Sequence, residues 1–179
     1  MRRLALVLLL ACCWVPAWAS TLERLSLDEM IAKSTAIVRG RVTGSSAAYH
    51  GPIIYTHYRV HVSETLKGTV GGSLDVMVPG GVAGAARQSF AGAPELDGVT
   101  EYVLFLWTGK SGTHIIGLTQ GLFQIPAGAS PKEYAVRQAT AEVMLEPGTG
   151  RPVQDERLKI RLSDLKARIA AAAGRGAIQ

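Results

Sequence analysis

Two histidines four residues apart, His57 and His61, are the first candidates for chemistry, because an H-x-x-x-H spacing on a helix sets two imidazoles on one face within reach of a zinc ion. Their neighbours decide otherwise. Ile54, Thr56, Tyr58, Val60 and Val62 alternate with Tyr55, His57, Arg59 and His61, a period of two that belongs to a strand. At roughly 3.3 Å per residue the two histidines then lie about 13 Å apart, too far to share one ion. They read as solvent-facing residues beside Arg59, and no metal is expected.

Other chemical signals dissolve in the same way. Thr108-Gly109-Lys110-Ser111-Gly112 ends like a phosphate-binding loop, but the position five residues before Gly109, where that loop needs glycine, is Leu104. A polar hairpin turn accounts for the segment better. Pro79-Gly80-Gly81-Val82-Ala83-Gly84 follows a strand, yet no acidic residue or apolar helix completes a dinucleotide-binding unit. There is no Gly-x-Ser-x-Gly elbow, and no serine has a histidine and an aspartate placed for a triad. Asp28 and Glu29 suit the first turn of a helix, and Asp155 and Glu156 a solvated linker. No catalytic residue and no cofactor are assigned, and the reading leans against an enzyme.

A binding surface is the better candidate. Tyr49, Tyr55 and Trp107, with Arg39, Arg41, Arg59 and Lys67 close in sequence or on adjacent strands, could line an exposed groove. The competing arrangement scatters these residues over the surface and puts Trp107 in the core. The residues singled out for ligand binding are Tyr55, His57, Arg59, His61 and Lys67.

These residues must be held by strands. Ser26 stands three residues before Glu29, a capping-box spacing, and predicts a short helix whose apolar face is Leu27, Met30 and Ile31. From Ala36 the period becomes two, with Ala36, Val38, Gly40 and Val42 on one face of a half-buried strand that Gly40 bends. A loop is expected from Gly44 to Pro52, then the strand Ile53 to Glu64, then a third strand from Leu74 to Val78. Residues 82–100 read as a long small-residue loop, of a length usually reserved for function or mobility. Glu101 to Trp107 is apolar on both faces and reads as the most buried strand. Strands at His114 to Leu118 and Gly121 to Ile125 follow, then a linker-like stretch at Pro126 to Pro131. Tyr134 to Leu145 is ambiguous between helix and strand, and Leu162, Leu165 and Ile169 mark one face of a closing helix.

The start of the chain sets its compartment. Arg2 and Arg3, the apolar run Leu4 to Leu10 and the small-x-small end Ala17-Trp18-Ala19 read as a secretory signal peptide over residues 1–19. The run is too short to span a membrane. Leu9-Leu10-Ala11-Cys12 offers a second route, a lipoprotein anchored at Cys12. Removing residues 1–19 from 179 leaves 160, enough for one domain, and takes the 19 basic residues to 17 against 14 acidic, a net of +3. That balance names no nucleic-acid partner. Cys12 and Cys13 are the only cysteines, so the exported domain holds together without disulfides, and thiol chemistry is excluded.

Three segments in order carry a resemblance: Ala36-Ile37-Val38-Arg39-Gly40-Arg41-Val42, the strand Tyr58 to Val62 leading to Leu66-Lys67-Gly68, and Glu101-Tyr102-Val103-Leu104-Phe105-Leu106. Together, over roughly residues 26–125, they look like exported bacterial proteins of unknown function and resemble the netrin-like or TIMP-like OB barrel. TIMP-type inhibitors use an N-terminal cysteine on the protease zinc, and no cysteine follows residue 19 here, so that inhibitory chemistry transfers to no residue. The resemblance implies a barrel and a protein-binding habit. The expectation is a mainly β chain, a five- or six-stranded OB-like barrel over 20–130 with a short N-terminal helix, and an extension over 131–179 whose helix packs on it. Its expected role is non-enzymatic binding of a protein or peptide in the periplasm or outside the cell. The alternative is an exported hydrolase or a glycan-binding envelope protein.

Overall fold

The computed structural model describes residues 21–126 and 133–176. The expected leader with Cys12, and most of the expected linker over 126–131, lie outside the described residues. The architecture is mainly β. After a short strand β1 (Thr21–Glu23), helix α1 (Leu27–Lys33) begins with the anticipated capping box: the Ser26 side chain accepts from the Glu29 amide, and the Glu29 carboxylate accepts from the Ser26 amide. Strands β2 (Ala36–His50), β3 (Ile53–Lys67) and β4 (Ser73–Pro79) form an antiparallel meander. A small hairpin, β5 (Gly81–Ala83) and β6 (Ala86–Gln88), interrupts the long connection to β7 (Glu101–Gly109). Strands β8 (Gly112–Ile115), β9 (Leu122–Ile125), β10 (Tyr134–Arg137), β11 (Val143–Leu145), β12 (Pro152–Val153) and β13 (Leu158–Arg161) precede the final helix α2 (Leu162–Gly176).

Eight strands join in one sheet, β13-β10-β9-β7-β2-β3-β4-β8, and a further β7–β8 pairing folds five of them into a ring. Around that ring every contact is antiparallel except β4 with β8, which run parallel where Met77 meets His114. Two apolar clusters follow. Val38, Tyr58, Val60, Val76, Val78, Tyr102, Leu104 and Leu106 fill the ring. On the outer side of β2 and β7, Ile37, Val103, Phe105 and Phe123 pack against Leu27, Met30 and Ile31 of α1 and Leu162, Leu165 and Ile169 of α2.

The strand expected at His114 to Leu118 is Gly112–Ile115, with a turn from 116 to 121, and two segments of β2 also depart from expectation. The loop expected over Gly44 to Pro52 is strand as far as His50, because the full alternation of β3 supplies a partner for small residues that show no period of their own. The first half of β2, expected to be half-buried, has Ile37 and Val38 fully buried, since helices cover the face opposite the ring. Tyr134 to Leu145 resolves into two strands, β10 and β11, and β10 and β13 extend the sheet beyond the ring.

Gly40 sits where the β2–β3 register shifts, and a Cβ there would strike the His61 carbonyl and Val60. Gly40→Ala is therefore expected to cost about 1–3 kcal/mol, read as a lower urea midpoint at unchanged slope.

Candidate functional site

The outer face of the ring is divided in two. Where β2, β7, β9 and β10 lie side by side, and at the Glu64–Lys67 end of β3, α1 and α2 cover it; over the rest of β3 and over β4 and β8 no helix packs among the described residues. Strand alternation puts Tyr55, His57, Arg59 and His61 on this open part, since Ile54, Tyr58 and Val60 turn into the ring. Across on β4 their partners are Pro79, Met77, Asp75 and Ser73. His57 does not meet His61; its Nδ1 lies 2.6 Å from Asp75 Oδ2. Among the described residues no three histidines, aspartates or glutamates gather as a metal cage.

The centre of the face is a residue that carried no signal in the sequence. His114 on β8 stacks on Trp107, its cross-strand neighbour on β7, with ring centroids 6.5 Å apart, and meets the edge of Tyr55 at 5.9 Å. Tyr55 in turn meets His50 at 6.1 Å. A row of four rings, Trp107, His114, Tyr55 and His50, thus crosses β7, β8, β3 and the end of β2. His114 is held in place by contacts of its Nδ1 with the Met77 carbonyl and of its Nε2 with Ser111 Oγ, both at 3.2 Å. Ser111 belongs to the β7–β8 turn that the sequence disguised as a phosphate loop. Trp107, at 47% exposure, is the open end of the row, and the core placement weighed for it does not occur.

Beside the row lies a pocket of about 150 Å³ lined by Tyr55, Met77, Pro79, Pro94, His114 and Leu118, with Val78 and Ile115 at its base. Its lining is largely apolar. Pockets for drug-sized ligands run about 300–1,000 Å³, so this one takes a single side chain. A second, more polar hollow of about 260 Å³ opens nearby between Thr56 and Tyr58 and the segment from Gly80 to Leu96. That segment is pinned: Gln88 Oε1 accepts from the Ile54 amide at 2.7 Å and its Nε2 donates to the Pro52 carbonyl at 3.0 Å, while the Asp97 carboxylate accepts from the Val99 and Thr100 amides.

The remaining candidates have other duties. Lys67 stands at the far end of β3 and donates to the Ile31 and Ala32 carbonyls at 2.6 and 3.2 Å, closing the last turn of α1. Arg39 donates to Glu101 at 2.8 Å and pairs with Glu133 at 3.2 Å. Arg41 donates to the Val99 carbonyl at 2.8 Å. Tyr49, 56% exposed, projects from the tip of the β2–β3 hairpin. In the extension, Arg137 and Asp155, with side chains only 8% and 1% exposed, form a buried pair at 2.6 Å, so Asp155 is no solvated linker residue.

No family profile, curated protein or solved structure matches this chain.

The hydrogen bond from Arg39, reinforced by its charge and that of Arg41, holds the Glu101 carboxyl below its usual range against the opposing effect of burial. A depressed carboxylate stabilises the fold above its unfolded value and loses that contribution as pH falls through the folded one. Stability should thus decline below about pH 4. Glu101→Gln should lower stability at neutral pH by about 1–3 kcal/mol and flatten the acid limb of a urea-midpoint against pH curve. Removing one partner of the buried pair, Asp155→Ala, should cost about 3–5 kcal/mol in the same assay.

Proposed function

We propose that the protein is an exported, non-enzymatic binding protein that holds a protein or peptide partner on the open outer face of the ring. One observation carries the reading: an apolar pocket sized for one side chain, set against the Trp107–His114–Tyr55–His50 row. Protein interfaces draw most of their energy from a few aromatic and arginine contacts around an anchoring pocket, and Tyr55, Trp107 and Arg59 are such residues. A polar polymer would leave the pocket unfilled.

The connectivity supports an OB-like barrel. Taken in chain order, β2, β3, β4, β7 and β8 are five ring strands, of which the third and fifth run parallel while the first closes on the fourth. In that arrangement ligands lie on the face of the second and third strands between the first and last hairpin loops. Here that face is β3 and β4, flanked by the Gly51-Pro52 turn and the Lys110-Ser111 turn, and the row of rings crosses it. The netrin-like resemblance of the sequence belongs to the same reading, with no cysteine after residue 19 to carry that family's inhibitory chemistry. In this reading residues 1–19 act as an export leader, and the partner is one met in the periplasm or outside the cell.

A glycan is the second reading, favoured by the exposed Trp107 ring, on which a sugar can stack. Changing Tyr55 and Arg59 together to alanine separates the two. Loss of a repeatable protein partner captured from periplasm and medium is the expected result; loss of binding to purified cell-wall glycan would favour the second reading, and unchanged binding to both would remove the face from consideration.

A further inference from the structure

Strand β2 pairs with β3 along nearly its whole length, but with β7 only from Ala36 to Arg41. From Thr43 to His50 its other edge has no strand partner among the described residues, and no turn or loop backbone bonds to it. Every residue in that run is exposed except half-buried Ala47. About half of a strand's N–H and C=O groups point to each side, so the edge offers roughly eight residues, or about 26 Å, of unpaired backbone.

Open edges of this kind are normally blunted with lysine, proline, an inward charge or a bulge. Thr43-Gly44-Ser45-Ser46-Ala47-Ala48-Tyr49-His50 contains no lysine, arginine, acid or proline, and its one register irregularity lies at its start, between Val42 and Gly44. We propose that this edge pairs with the same edge of a second copy, antiparallel across a two-fold axis, to make a homodimer with a continuous β3-β2-β2-β3 sheet. The uncharged run is self-compatible, which points to a second copy as the occupant. An isologous contact centred on Ser46 sets Gly44 against Ala48 and Ser45 against Ala47, so no like charges meet, and Gly44, Ser46 and Ala48 let the two backbones approach. A two-fold perpendicular to the sheet also brings both open faces to the same side, with the two β3 strands three spacings, about 14 Å, apart. The dimer would present two ring rows to one partner.

One strand pair is a small interface, so association in the micromolar range is expected, roughly 1–100 µM. Sedimentation of the protein purified after export from the full chain should show the monomer mass doubling across that range. The outward-facing amides between Thr43 and His50 should exchange at least about tenfold more slowly at the high end. Ser46→Lys with Ala48→Lys should abolish the dimer, and so should Ser46→Glu with Ala48→Glu. An equimolar mixture of the two variants should restore it as a heterodimer, which misfolded chains could not do. A wild-type protein that stays monomeric throughout, a dimer that survives the lysine pair, or a mixture that stays monomeric overturns the proposal.

Discussion

Everything in this molecule leans on β7 being buried on both faces at once. Tyr102, Leu104 and Leu106 fill the ring while Val103 and Phe105 form the floor on which α1 and α2 rest. The same strand bonds to β2, β8 and β9, so it both closes the ring and passes the sheet on to the C-terminal strands. With no cysteine after residue 19, packing carries the cohesion that disulfides supply in many small exported domains. Each of the five residues from Tyr102 to Leu106 is essentially inaccessible, and each such side chain contributes about 1.5–3 kcal/mol relative to exposure.

That constraint also makes the site. Trp107 has the parity of Val103 and Phe105 and so points to the outer face, but it lies beyond the helices that cover those two. The residue that would be core one turn of the pleat earlier becomes the exposed end of a ring row. Ion pairs link the covering helices at their rim: Arg168 of α2 holds Asp28 of α1 through two contacts at 2.8 Å, and Lys166 of α2 reaches Glu64 of β3 at 2.6 Å. Lys67, three residues further on, ties the same end of β3 to α1. The helical layer lies on one side of the ring and reaches β3 at its Glu64–Lys67 end, while the face over the rest of β3, β4 and β8 carries no helix among the described residues.

The elements with a period of their own were legible. Alternation set the inner and outer faces of β3, the capping box marked α1, and the doubly apolar run of β7 identified the most buried strand. The segment from Thr43 to His50 was not legible as strand, because its residues are small and without pattern, and its conformation comes from pairing with β3. Asp155 likewise read as a solvated linker residue until Arg137, eighteen positions away, was placed against it.

What the sequence determined by itself is therefore local: which side chains share a face, where helices cap, and that packing rather than disulfides holds the domain. Tyr55, His57, Arg59 and His61 were found together because period two is written along a single strand. His114 was not found, since its stacking on Trp107 and its contact with Tyr55 depend on β8 lying between β7 and β4. Only the closed ring decides that neighbourhood, because pairing between strands is a contact between residues distant in the chain, and no local period records it.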